Sequence, residues 1–223
     1  MKKSKKINVR LLAGTGILAG VAYVLMLLEF SVPFAPSFLK YDFSELPAFI
    51  AAFAYGPAAG VAVELIKNLI HLPFTGTSGV GELANFLIGS CFVLPAGLFY
   101  KHVKTRKGAL AGCVIGTFAA AAVSFPVNYF ITYPFYQNFM PLEAIIGMYS
   151  AIIPAADTLT KALLIVNVPF TFLKGLIGSL LTFAVYKYLS PILHGNRAGK
   201  SKKSGDNGSA GEVPNDDVRK EEK

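Results

Sequence analysis

Charge is scarce in this 223-residue sequence: 15% of its residues are charged, against roughly a quarter in an ordinary soluble domain. A soluble core of this size could not hide the long uncharged runs that result, so a soluble globular fold is excluded. Cysteine is nearly absent as well. Cys91 and Cys113 both lie inside apolar segments, which excludes a disulfide framework and suits small packing residues in helices. The three histidines, His71, His102 and His194, are scattered without metal-ligand spacing, so no metal site is indicated. There is no His-Glu-x-x-His and no pair of intramembrane aspartates, and no enzyme activity is expected.

What the sequence has in abundance is apolar length. Hydrophobic residues make up 53% of the chain, while the charges crowd into Met1–Arg10, Lys101–Lys107 and the stretch after Lys187. About 20 apolar residues cross roughly 30 Å of hydrocarbon as a helix, and backbone in lipid must satisfy its own polar groups. Runs such as Ala109–Val123 lack the alternation of barrel strands. The fold class is therefore an all-α integral membrane protein. The net charge of +8 does not point to nucleic acid, because the basic residues border apolar spans as topology signals do. Met1-Lys-Lys-Ser-Lys-Lys resembles the start of a signal peptide. The run from Leu11 to Leu28 is too long for that, and no small-x-small cleavage site follows, so it reads as a retained first span.

The obvious apolar segments are Leu11–Phe30, Leu46–Ile66, Leu83–Tyr100, Ala109–Ile131 and Val168–Leu189, with Met140–Val166 ambiguous. Five spans starting inside would strand the Lys-rich C-terminus outside, against the positive-inside rule. Gly56-Pro57 resolves this, since proline favours a turn or the first turn of a new helix. Splitting there gives short spans of about Glu45–Tyr55 and Ala58–Leu72, hence six transmembrane helices with both termini cytoplasmic. The loops Ser31–Ser44, Pro73–Gly81 and Thr132–Asn167 then face outward. An alternative six-span arrangement keeps the second span long and adds one through Ala144–Val166, but it strands Lys101, Lys104, Arg106 and Lys107 outside. The domains are a basic N-terminus (1–10), a six-helix substrate-binding membrane domain (11–190) and a polar tail (191–223) expected to be disordered and cytoplasmic.

Two apparent motifs carry nothing. Gly195-Asn-Arg-Ala-Gly199-Lys200-Ser201 is one residue too short for a phosphate loop and follows a span rather than a strand. Asn207-Gly208-Ser209 is a glycosylation sequon placed in the expected cytoplasmic tail. Ionisable residues within spans are more informative, because each costs several kcal/mol unless paired or solvated. Glu64 and Lys67, three residues apart, can neutralise one another on one helix face. Glu82, Asn85, Asn128, Thr171 and Lys174 all fall in the outer half of the six-span arrangement. Lys174 has no acidic neighbour within a turn, so a polar cavity is its expected host. Leu39 and Tyr41 belong to an aromatic first loop able to cover such a cavity. Aromatic walls, amides and one lysine suit a flat heteroaromatic ligand bearing carbonyls and ring nitrogens; an interface belt with helix-to-helix hydrogen bonds is the structural alternative. Ala13, Gly16 and Gly20 place small residues on the first span, suited either to internal packing or to docking a partner helix.

Several stretches resemble the riboflavin-specific S components of energy-coupling factor (ECF) transporters: Phe38-Leu-Lys-Tyr-Asp-Phe-Ser-Glu-Leu-Pro47, Tyr55-Gly-Pro-Ala-Ala-Gly60, Ile66-Lys-Asn-Leu69, Ala84-Asn-Phe-Leu87, Asn128-Tyr-Phe130 and Pro169-Phe-Thr-Phe-Leu-Lys-Gly175. They are spread across the membrane region, about Leu11–Leu189. The resemblance implies a bacterial cytoplasmic-membrane subunit that captures riboflavin from outside as its transported substrate, without a cofactor. It also implies association with a T component and two ATPase subunits, and contacts to the flavin from Asn128 and Lys174 beneath a closing first loop. Two departures stand out. Thr171 occupies a position where such proteins carry a ligand-contacting asparagine, so an amide's double contact is lost. The family's Ala-x-x-x-Ala docking motif has Gly16-x-x-x-Gly20 as its counterpart. Rival readings are an S component for another vitamin, an integral membrane enzyme acting on lipids, or an autonomous channel or carrier. An intramembrane Lys174 opposes cationic thiamine, no cytoplasmic acid or metal cluster supports the enzyme, and no paired repeats support the carrier.

Overall fold

The computed structural model describes residues 9–202 except Phe34 and Ser37, with side chains described through residue 186. The chain forms two compact units, Met1–Tyr188 and Leu189–Lys223. The described residues of the second unit, 189–202, are helical; residues 203–223, most of the tail expected to be disordered, lie outside the described residues.

The elements are α1 (Val9–Leu27), a two-residue antiparallel hairpin of β1 (Phe30–Ser31) and β2 (Lys40–Tyr41), then α2 (Glu45–Tyr55), α3 (Pro57–His71), α4 (Val80–His102), α5 (Arg106–Val127), α6 (Tyr133–Tyr136), α7 (Leu142–Ser150), α8 (Leu159–Ala162) and α9 (Val168–Lys202). Two π-helical turns, Asn128–Thr132 and Leu163–Asn167, join α5 to α6 and α8 to α9. Among the described residues, four helical stretches are long and apolar enough to cross a membrane: Val9–Leu27, Val80–His102, Arg106–Tyr136 and Leu159–Tyr186.

The helix break anticipated at Gly56-Pro57 is present. Gly56 closes α2 by donating its N–H to the Ala52 carbonyl, then turns the chain at φ +107°, a left-handed conformation that favours glycine. Pro57 opens α3, where its missing N–H is no loss. The last membrane helix differs from expectation. It begins at Leu159 rather than Val168, because Thr158 caps α8 by accepting from the Lys161 N–H, and the π turn Leu163–Asn167 carries the helix on without a break. Met140–Val166 is thus divided between the separate helix α7 and the start of this long helix.

Small residues bring the helices together, as expected where no hydrophobic force separates helix from lipid. At Gly116 a side chain would collide with the Phe92 carbonyl oxygen, 2.1 Å from where a Cβ would stand, so α4 and α5 meet backbone to backbone. On α1, Thr15, Ala19, Ala22 and Met26 face inward and are buried. Ala13, Gly16 and Gly20 lie on the exposed side, and a Cβ added at Gly16 or Gly20 would touch nothing within 4 Å. Internal packing therefore does not account for that small-residue face.

Candidate ligand cavity and family membership

α4 rises from Glu82 near its start to Lys101 near its end, about 28 Å along a helix axis. Glu82 and Asn85 are at one end of the bundle and the Lys101–Lys107 turn at the other. α5 begins at that turn and delivers Asn128 back to the first end. A cavity of ≈ 420 Å³ lies there, and six of the seven ligand residues chosen from sequence line it: Leu39, Glu82, Asn85, Asn128, Thr171 and Lys174. Tyr41 does not. It is buried beside the cavity, packing on Phe30 across the hairpin and on Phe43, and burial followed by the Glu45 charge pushes its hydroxyl up to about 12.

The charged side chains at the cavity are held by specific contacts. The Asp42 carboxylate accepts from the Ser44 N–H at 2.7 Å, turning the loop into α2. Its other oxygen is 3.0 Å from the Lys174 ammonium, which also meets Glu45 at 2.9 Å. Lys174 has no acidic neighbour on its own helix turn and lines the cavity, as expected, and its acidic partners come from the first loop and the start of α2. Burial alone would raise the Asp42 pKa, but Lys174, then Lys67, overcome it and hold the group at about 2, below its ordinary 3.8. Lys67 donates to the Ser44 hydroxyl at 2.6 Å and faces Glu64 at 2.8 Å, both fully buried. The anticipated Glu64–Lys67 neutralisation thus forms and extends into a longer polar chain: Glu64, Lys67, Ser44, Asp42, Lys174.

Glu82 is similarly occupied. His71 Nδ1 lies 2.8 Å from one of its oxygens, and Thr75 and Thr77 donate their hydroxyls to the other at 2.7 and 3.2 Å. The turn between α3 and α4 is thereby fastened to the cavity rim. Asn128 donates one N–H to the Ser124 carbonyl at 2.7 Å. Phe38 of the first loop lines the cavity and its ring meets Tyr133, Tyr136 and Tyr149 edge to face, and Lys40 of that loop pairs with Glu29 just after α1.

The sequence reading overlooked Tyr133 and Asn167, both buried and both lining the cavity. A signal for Asn167 existed. Asn167, Phe170, Thr171 and Lys174 recur at i, i+3, i+4 and i+7, one face of a helix, and all four line the cavity. Tyr133 gave no such signal, because the π turn before it shifts the register by one residue.

A bundle of apolar helices with a polar-and-aromatic cavity at one end has the form of a multi-pass membrane protein with room for a small molecule. The comparisons with known proteins say which kind. The model of the family described as "ECF transporter, substrate-specific component" matches residues 10–186. A riboflavin transporter of Staphylococcus aureus, RibU, is 32% identical over 86% of this chain and 98% of its own length. Riboflavin transporter FmnP of Bacillus subtilis is 32% identical over 86% of this chain and 97% of its own. A solved structure of the S component of a bacterial ECF transporter superposes with a TM-score of 0.67 at 32% identity, covering 84% of this chain and 99% of that one. The chain belongs to the substrate-specific components of ECF transporters. It is a multi-pass bacterial membrane protein of a transporter family, not an enzyme family.

Proposed function

We propose that this chain is the riboflavin-capturing subunit of an ECF uptake system. The observation that carries the reading is the convergence of Leu39, Glu82, Asn85, Asn128, Thr171 and Lys174 on one cavity of ≈ 420 Å³, in a chain similar to riboflavin transporters along most of its length. Aromatic rings of the first loop and α6 offer stacking and edge contacts to a flat ring system. Asn85, Asn128 and Thr171 offer hydrogen bonds to its carbonyls, ring nitrogens and hydroxyls. Riboflavin is the cargo here, not a cofactor. Tyr41 serves the site by packing the hairpin that carries Leu39.

In this reading six segments cross the membrane, with α2 and α3 as two short crossings, and residues 11–190 form the membrane domain. Both termini are cytoplasmic, as is the Lys101–Lys107 turn by the positive-inside rule, so the cavity at the opposite end faces outward. The 191–223 segment is a cytoplasmic tail. Delivery follows association with a T component and two ATPase subunits. The exposed face of Ala13, Gly16 and Gly20 is the docking surface, since small residues let a partner helix approach closely in lipid.

The test is a fluorescence titration of the purified, ligand-free protein with riboflavin in detergent. Quenching that saturates at submicromolar riboflavin is expected; its absence at those concentrations refutes the flavin reading.

A further inference from the structure

At the cavity wall, three buried side chains close a ring of hydrogen bonds. Tyr149 donates its hydroxyl to Asn167 Oδ1 at 2.6 Å, and Asn167 Nδ2 donates to the Tyr133 hydroxyl oxygen at 3.2 Å. The Tyr133 and Tyr149 hydroxyls bond to one another. Because Tyr149 has given its only proton to Asn167, the shared proton must come from Tyr133. Each member then donates once and accepts once. Flipping the amide reverses the direction of the ring and leaves the same tally. In either sense Asn167 retains one N–H that the ring does not use, on an amide whose plane is fixed by two partners. Tyr133 and Asn167 line the cavity, whereas Tyr149 stands behind them on α7.

A buried N–H left without an acceptor is rarer and costlier than an under-used carbonyl oxygen. Asn167 is 2% exposed, so water does not readily serve it from outside, and the cavity is the side from which an acceptor can come. Phe38, Tyr133 and Tyr136 line the same cavity, which seats a flat ring there. We propose that Asn167 is a specificity-determining donor to a carbonyl or ring nitrogen of the flavin ring, and that Tyr149 is a positioning residue acting through it. The proposal rests on the flavin reading above. It explains why two tyrosine hydroxyls are buried where phenylalanine would pack as well: they hold an amide that has to meet the ligand at one angle.

The experiment titrates riboflavin and lumiflavin, which lacks the ribityl chain, into wild type, Asn167→Ala, Tyr149→Phe and the double variant, alongside melting of the ligand-free proteins. Asn167→Ala is expected to weaken both flavins by roughly tenfold or more, the worth of a buried hydrogen bond, and to move the near-ultraviolet band of bound flavin to shorter wavelength. Tyr149→Phe keeps the ring packing, so it serves even if Asn167→Ala folds poorly. It is expected to weaken binding by about threefold to tenfold, with no further loss when added to Asn167→Ala. Affinities within about twofold of wild type in Tyr149→Phe, or a lost affinity with an unmoved flavin band, overturn the proposal while riboflavin binding by wild type leaves the flavin reading intact. Wild type that binds neither flavin overturns both.

Discussion

Asp42 and Lys174 are 132 residues apart in sequence and 3.0 Å apart in space. That contact ties the first loop to the last membrane helix at the wall of the cavity. It also places a positive charge at the candidate cavity, paired with Asp42 and Glu45.

Lys174→Ala removes the proposed ligand contact and takes away the ammonium that Asp42 and Glu45 share. Breaking a buried pair from one side costs about 3–5 kcal/mol. A loss of riboflavin affinity beyond about 100-fold and a clear drop in melting temperature are expected together. Lys161→Ala is the control: its pair with Asp157 is exposed on both sides, and such pairs contribute about 0–1 kcal/mol. Equal, small effects of the two substitutions would contradict the assigned site.

The same pair sets an acid limit. Asp42 titrates at about 2 in the folded protein against an ordinary 3.8. A depressed carboxylate stabilises the folded form above its unfolded value, and the stabilisation is lost as pH falls through the folded value. The contribution is therefore intact above about pH 4 and declines from there to about pH 2. Melting temperatures of wild type and Asp42→Asn, measured in detergent from about pH 5 downward, should converge below about pH 4; a constant difference across that range argues against the pair.

How much of this could be read from the sequence depends on range. Gly56-Pro57 declares its helix break locally, and Glu64–Lys67 declares its pairing through a three-residue spacing. The polar positions of the cavity were legible because lipid makes any such residue conspicuous. The acids that meet Lys174 were not, since no local rule joins residue 42 to residue 174. Neither was Tyr133, because π turns shift the helical register without a sequence mark as plain as proline. Asn167 was legible on the face shared with Thr171 and Lys174, and lay hidden only while that segment was read as a loop.

Gly89 gives a test of the buried network. A Cβ there would stand 2.4 Å from the Glu64 carboxylate, so Gly89→Ala must displace one half of the buried Glu64–Lys67 pair. Overpacking of this kind costs about 1–3 kcal/mol, and thermal unfolding in detergent should show it. Gly16→Ala, with nothing within 4 Å, should leave the melting temperature unchanged.

The docking proposal separates from the binding proposal by experiment. Gly16→Leu combined with Gly20→Leu should leave the riboflavin titration unchanged while reducing co-purification with the T component and ATPases. Intact co-purification would overturn the docking assignment of that face.

Orientation is checked by a single cysteine. In a background lacking Cys91 and Cys113, Lys104→Cys should react with a membrane-impermeant thiol reagent only after the cytoplasmic side is opened; labelling of intact cells reverses the topology and turns the cavity inward.

The most direct measurement is the visible spectrum of the protein purified from cells grown with riboflavin. A yellow preparation is expected, with a flavin band in the blue that is absent from the Lys174→Ala protein. A colourless wild-type preparation that also fails to quench added riboflavin at submicromolar concentration contradicts the account.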